Sequence, residues 1–387
     1  MSALPPVDRA SLVATRRDIH QHPELGFEET RTASLVADRL RALDYHVTPG
    51  VGKTGVVGLK KHAGGRCVLL RADMDALPVE EATVVPYRSR YPGKMHACGH
   101  DGHVAIGLEV ARRLAPLDLG AGGGAVKFAF QPAEEASNGA QAMIGDGVLG
   151  EPTVHAAFGI HLWNDLPVGT IGIMAGPVMA SVDQFEIEIL GRGGHAAAPH
   201  QTIDPVLTAA HVITGLQSLV SRRRDPMDEV VISVTEMHAG RAFNVIPARA
   251  DLRGTVRTFG GRFWEEAPRL VAETAQGIAS AFGAQAIVHY HRLSSPLVND
   301  EQLSALMRDV AATVVGADNV RSGVRTMGGE DMAFFLERVP GCFAFVGSAP
   351  TGGIPSPHHS PTFDIDEESL VVAAELLTQT AVKYLNG

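Results

Sequence analysis

The sequence predicts an α/β fold: a mostly parallel sheet covered by helices, interrupted by an inserted ferredoxin-like α+β (βαββαβ) unit. Three observations carry this expectation. The chain has 387 residues, 45% of them hydrophobic, which is too long for one ordinary core and apolar enough for two. The first half alternates helical and extended patterns, which implies parallel strands with helices on both faces. Near Ser181 the rhythm changes to alternating extended segments separated by two long helical ones.

Residues 12–22 have amphipathic spacing and stop before Pro23. Residues 30–43 repeat it, with Leu35, Val36, Leu40 and Leu43 on one face. Residues 56–60 and 68–72 read as strands and 104–114 as a helix. Residues 126–130 form a strand running into Gln131-Pro132, and 156–160 form another short strand. In 184–190, Phe185, Ile187 and Ile189 alternate with polar residues, as in a half-exposed strand. A helix at 204–220, strands at 230–235 and 250–258, a helix at 264–282 and a strand at 286–290 complete the βαββαβ order. The first pattern then resumes with a helix at 301–315, a strand at 342–346, Pro- and Gly-rich turns over 350–361 and a closing helix at 367–384. The expected division is residues 1–181 with 292–387 as one domain, and 182–291 as the insert. Residues 120–124 are glycine-rich but lack the Lys-Ser/Thr of a phosphate loop, so they read as a surface turn.

Composition excludes several classes. The formal net charge is −10 and the densest basic cluster is Arg222, Arg223 and Arg224, which argues against a nucleic-acid partner. Residues 1–6 lack the basic start and apolar run of a signal peptide. No stretch of about 18 uninterrupted apolar residues is present, so no membrane partner is expected. Three cysteines, Cys67, Cys98 and Cys342, do not make a disulfide framework. They point to a reducing, cytoplasmic setting in which a thiol can bind metal.

The segment Met95-His-Ala-Cys-Gly-His-Asp-Gly-His103 gathers imidazole, thiolate and carboxylate groups, the donors that bind Zn²⁺ and similar ions. The plain alternative is a polar helix start capped by Asp101. Spacing leaves open which of His96, Cys98, His100, Asp101 and His103 coordinate. Gln131-Pro-Ala-Glu-Glu135 follows a strand directly. Adjacent carboxylates there repel unless one is neutralised, and a metal on one leaves the other free as a base; a favourable charge pair at a helix start is the plain alternative. Asp73 and Asp75 follow the 68–72 strand, His161 ends the 156–160 strand, and His358 and His359 sit in a loop fixed by Pro357 and Pro361. Each alone reads as structural or solvated. Together they place acids and histidines after four strands, and in a parallel sheet those ends share one edge. No Gly-x-Ser-x-Gly elbow of a serine hydrolase appears.

These segments resemble the aminoacylase-type metallopeptidases, and more closely their amidohydrolase branch of hippurate hydrolases, N-acyl-L-amino acid amidohydrolases and plant indole-acetyl-amino acid hydrolases. The resemblance runs through His20-Gln-His-Pro-Glu-Leu25, Arg71-Ala-Asp-Met-Asp-Ala-Leu-Pro78, Met95-His-Ala-Cys-Gly-His-Asp101, Gln131-Pro-Ala-Glu-Glu135, Gly159-Ile-His161, Gly194-His195, Asn244-Val-Ile-Pro247, Gly329-Glu-Asp331 and His359-Ser-Pro361. It implies a zinc-peptidase-like catalytic domain with the insert as a lid and dimerisation domain, in a homo-oligomer (dimer or tetramer). It implies two divalent ions per subunit (zinc, manganese, cobalt or nickel) held by Cys98, His100, Glu135, His161 and His359, with Cys98 bridging. Glu134 would be the general base, and His195, from its own or a neighbouring subunit, would polarise the scissile carbonyl. Asp75 would support the site, and Asn244 and Glu330 would lie near the substrate. The implied reaction is hydrolysis of the amide bond of an N-acyl amino acid. A carboxypeptidase or dipeptidase with the same ions is the alternative; a non-catalytic metal-binding protein would have lost Glu134 or a ligand.

Overall fold

The computed structural model describes residues 4–61, 65–117, 124–135, 139–352 and 356–387. The chain divides into two compact units: Met1–Gly176 with Val298–Val324 and Asp331–Gly387, and Pro177–Leu297 with Arg325–Glu330. The second unit thus starts before residue 182 and ends after 291. It also takes in residues 325–330, which sequence pattern assigns to the first.

In the first unit, helices α1 (Arg9–His20), α2 (Thr30–Ala42) and α3 (His100–Leu114) accompany strands β1 (His46–Val51), β2 (Gly55–Lys61), β3 (Arg66–Asp73), β4 (Gly124–Gln131), β5 (Ala156–Pro167) and β6 (Ile171–Gly172). Helix α4 (Gly139–Gly145) follows β4. The sheet order is β1-β2-β4-β3-β5, then the strands Gly341–Ala349, β6 and Val320–Arg321. Its four central strands, β4, β3, β5 and Gly341–Ala349, are mutually parallel. Antiparallel pairs (β1 with β2, β2 with β4, β6 with Gly341–Ala349) lie only outside them. The sheet is parallel where the chemistry-bearing strands run and mixed at its flanks. Strand β1 leaves little signal in the sequence because its residues are mostly exposed and carry no apolar run.

Phe128, Phe130, Phe158 and Ile160 of the sheet pack with Val104, Ile106 and Val110 of α3. Leu370, Ala374 and Leu377 of the last helix, Glu368–Asn386, join the same core. Helix α3 sits close on β5: a Cβ at Gly102 would lie 2.6 Å from Leu162 Cδ1. Strand β5 runs to Pro167, so His161 lies within it and not at its end. Its pairing with β3 stops at Phe158↔Leu70 although β3 continues to Asp73, so the stretch carrying His161 is unpaired on that side.

The second unit contains strands Val182–Leu190, Val230–Ala239, Arg249–Thr258 and Gln285–Ser294 with helices α5 (Pro205–Ser218) and α6 (Gly261–Ala281). The order across its sheet is 230–239, 249–258, 182–190, 285–294, all antiparallel. That is the ferredoxin-like arrangement. Phe185, Ile187 and Ile189 face Val212, Leu216, Leu270 and Val271 in its core. Among the described residues no helix is long and apolar enough to cross a membrane. Residues 120–123 of the glycine-rich turn lie outside the described residues; Gly124 opens β4.

Candidate metal centre

The central strands deliver acids and histidines to one edge, where open α/β sheets bind ligands. Strand β3 ends at Asp73 and is followed by Asp75; β4 leads into Pro132-Ala133-Glu134-Glu135; β5 carries His161. The loop holding His359 follows Gly341–Ala349. Cys98 precedes α3 and His100 is its first residue. Between them Gly99 adopts φ +90°, a left-handed conformation that side-chain-bearing residues avoid. It turns the chain so that neighbours on either side present Sγ and an imidazole to one place.

Potential ligand atoms of Cys98, His100 and His161 lie within 4.8 Å of one another, and so do those of Cys98, Glu135 and His359. Cys98 belongs to both groups. Its Sγ is 3.5 Å from His161 Nε2, and Glu135 Oε1 lies 3.3 Å from His359 Nε2 and 3.9 Å from His100 Nε2. His100 Nε2 and Glu135 Oε1 are buried without a hydrogen-bond partner. Buried polar atoms of this kind carry a desolvation cost that a cation would relieve. Sulfur, nitrogen and oxygen donors at such spacing fit two divalent ions. Asp75 supports the set twice: its carbonyl accepts from His100 Nδ1 (2.9 Å) and its Oδ2 accepts from the Glu135 amide (3.0 Å). The first bond leaves His100 Nε2 as the free nitrogen. His161 Nδ1 donates to the Leu162 carbonyl at 2.8 Å, so its Nε2 faces the thiol.

The residues that spacing left open are now separated. His103 donates through Nδ1 to Asp73 (2.6 Å) and accepts through Nε2 from the Leu162 amide (3.0 Å), so neither nitrogen is free. Asp101 Oδ2 accepts from Arg16 Nε and His20 Nδ1, each at 2.8 Å. His96 is buried, joins no ligand-capable group among the described residues, and burial pushes its pKa down to about 3. His358 donates to the Leu162 carbonyl (3.0 Å) and stacks on Trp163 at 4.6 Å.

Burial, reinforced by Glu135, Glu134 and Asp73, pushes the Cys98 thiol well above its ordinary value. Burial alone would lower His100, but Asp73, Asp75 and Glu135 outweigh it and raise the ring to about 10. His161 is held well below its usual value by burial and by neighbouring histidines, so it stays neutral. Burial alone would raise Glu135, but the His359 ring and the charge of His100 bring it down.

Glu134 stands beside this set, with Oε2 4.0 Å from His100 Nε2. The Asp331 amide points at its Oε1 from 3.4 Å. Asp331, which no sequence pattern singles out, is a hub: its carboxylate accepts from Arg71 (2.9 Å), Gln131 (2.7 Å) and the Ala140 amide (3.0 Å). Arg71 also donates to Asp73 at 2.6 Å and to Gln131 Oε1 at 2.8 Å, so a buried guanidinium ties the ends of β3 and β4 together. Ala133 and His359 both have positive φ, +47° and +65°. Each such residue costs about 1–2 kcal/mol and persists only where its surroundings impose it.

His195, Asn244 and Glu330 belong to the second unit. Gly194-His195 pairs antiparallel with Val245-Ile246, and the Asn244 carbonyl accepts from the Ala196 amide at 3.0 Å. His195 is exposed, and its Nδ1 accepts from the Ala197 amide at 3.0 Å. In the neutral ring the proton therefore sits on Nε2. Glu330 is buried.

A family model described as peptidase family M20/M25/M40 matches residues 69–383. The chain is 41% identical over 382 residues to an N-acetylcysteine deacetylase of Bacillus subtilis (strain 168), covering 97% of each. It is 39% identical over 380 residues to the IAA-amino acid hydrolase ILR1-like 4 of Arabidopsis thaliana, covering 97% of this chain and 86% of the relative. A solved Bacillus subtilis structure, described as a dinuclear metal binding peptidase from the M20 family, matches with a TM-score of 0.85 at 37% identity, over 97% of this chain and 98% of the other.

Proposed function

The chain belongs to peptidase family M20/M25/M40, and from that premise we propose which bond it cleaves and which residues act. It is a metal-dependent amidohydrolase working with two divalent cations. The bond is the amide of an N-acyl amino acid, such as an N-acetyl amino acid or a hippurate-like conjugate. The relatives' names point there: N-acetylcysteine deacetylase and IAA-amino acid hydrolase.

The observation that carries the residue assignment is the membership of Cys98 in both ligand-atom groups. Cys98, His100 and His161 would hold one ion and Cys98, Glu135 and His359 the other, with the thiolate shared. Bound there, the two cations would supply Lewis acidity toward the amide carbonyl and toward the attacking water. A thiolate donor favours zinc, and manganese, cobalt and nickel compete for the rest of the set. Glu134 takes the proton of the attacking water and returns it to the departing amine nitrogen, releasing a carboxylic acid and a free amino acid. His195, with its proton on Nε2, donates to the carbonyl oxygen as negative charge develops there. The amide of Asp331 and the carboxylate of Asp75 orient Glu134 and Glu135. Asn244 and Glu330 lie near the substrate.

We place this enzyme in the cytoplasm as a homo-oligomer; three free, buried cysteines suit a compartment that keeps thiols reduced. Size-exclusion chromatography with light scattering reports the oligomer directly. Function is tested by a hydrolysis panel with the metal-loaded protein. N-acetyl amino acids and hippurate should be cleaved in preference to free dipeptides. Preference for free dipeptides would mean the exopeptidase reading instead.

A further inference from the structure

We propose that Arg16 is a positioning residue for the exposed half of the metal centre, clamping the His359 loop to the start of α3 so that His359 faces Cys98 and Glu135. The inference rests on the ligand assignment above. Its starting point is a cation in an unusual place: Arg16, on α1, is fully buried. A buried guanidinium is costly unless its donors are paired. Its three partners lie on both sides of the site. Nε donates to Asp101 at 2.8 Å, Nη2 to Asp364 at 2.7 Å and Nη1 to Glu367 at 3.3 Å.

Asp101 directly follows the ligand His100, while Asp364 closes the turn that follows His359. The guanidinium carbon sits 4.7 Å from the centre of the Tyr87 ring, whose hydroxyl donates to the second oxygen of Asp364 at 2.9 Å. A second strap leaves the same helix. His20 contacts Asp101 (2.8 Å) and Glu81 (3.3 Å), and the neighbouring Ala82 amide donates to the Pro361 carbonyl at 2.8 Å. This gives the His20-Gln-His-Pro segment a place in the molecule that the reaction itself does not supply.

His359 needs such a hold. It sits in a loop at φ +65° and its side chain is half exposed. Its amide donates to the Ala97 carbonyl at 2.8 Å. His161 and His100 lie within β5 and α3, whose main-chain bonds already fix them. Loss of the clamp should therefore loosen one ion and spare the other. Lysine replaces it only in part, because one ammonium does not span carboxylates that a planar fork reaches from opposite edges.

The test is two-site binding of Co²⁺ or Zn²⁺ to the metal-stripped full-length protein, with bound metal counted by elemental analysis. Four variants are compared: Arg16→Gln, Arg16→Lys, Asp364→Ala and His359→Ala. His359→Ala should keep one ion of two. Arg16→Gln and Asp364→Ala should weaken one site by about 10–100-fold, the range for residues that orient ligands, with the other within about threefold of wild type. Arg16→Lys should fall between. Asp364→Ala leaves the buried Arg16–Asp101 contact in place, so it serves if Arg16→Gln does not fold. If His359→Ala retains two ions, the ligand assignment itself fails. If it loses one while Asp364→Ala binds both ions as wild type does, or loses both in parallel, the clamp is wrong and the ligand assignment stands.

Discussion

The two ligand-atom groups of the proposed metal centre share the Cys98 thiol and differ in almost everything else. Cys98, His100 and His161 are all buried, and their backbones belong to or adjoin an α-helix and a central strand. Glu135 is half buried and His359 exposed; both sit in loops, His359 itself at positive φ and Glu135 two residues after Ala133, which is also at positive φ. One half inherits its geometry from regular hydrogen bonding. The other has its geometry imposed by side chains, chiefly Asp75 under Glu135 and the Arg16 network behind His359. Rigid elements give precision without extra residues, whereas a loop ligand needs a second set of contacts to hold it.

The largest expected effect removes the comparison altogether. Cys98→Ala should lose both ions and all hydrolysis, because its sulfur serves both halves. Elemental analysis showing two ions still bound would refute the shared-thiol arrangement.

Next comes pH. Metal and protons compete for the same atoms. In the metal-free site Cys98 is raised well above its usual range and His100 sits at about 10, so near neutrality both hold protons that the buried-half ion must displace. The sign follows: affinity rises with pH and falls toward acid. His161 and Glu135 are shifted the other way and add little competition. Once Cys98 has lost its proton, the exposed-half ion meets only the proton of His359, which Glu135 raises. The buried half should lose about tenfold in affinity per pH unit for each of two protons, and the exposed half for one. Calorimetric titrations from pH 6 to 8 measure both slopes, and equal slopes would remove the distinction.

A smaller effect is kinetic. A chelator should strip the exposed-half ion first, giving two phases of metal release; a single phase releasing both ions would show that the halves exchange as one.

Much of this was legible in the residues. The alternation of 185, 187 and 189 and the order of helices and strands foretold both sheets. Placing Asp73, Glu134 and Glu135 after strands foretold a common edge, and β4, β3, β5 and Gly341–Ala349 do lie side by side and parallel. What pattern could not separate were residues of identical chemistry in one short stretch. His100 and His103 differ in role because the Leu162 amide occupies the second nitrogen of His103, a contact across 59 residues of chain. His358 and His359 differ because one stacks on Trp163 and the other is turned by a positive φ. Strand β5 reads short because its apolar run ends at Leu162–Trp163, yet pairing with Gly341–Ala349 carries it to Pro167. Arg16 does carry a signal in the sequence: Leu12, Arg16 and Ile19 share one face of α1 by their spacing, and a lone cation on an apolar face must find buried partners.

The central claim is that Glu134, and not a metal ligand, moves the proton. Glu134→Gln tests it most directly, with hydrolysis of N-acetyl amino acids and bound metal measured on the same sample. Two ions retained, with hydrolysis down by about 10²–10⁴-fold, is the predicted result; wild-type turnover with both ions bound would contradict it.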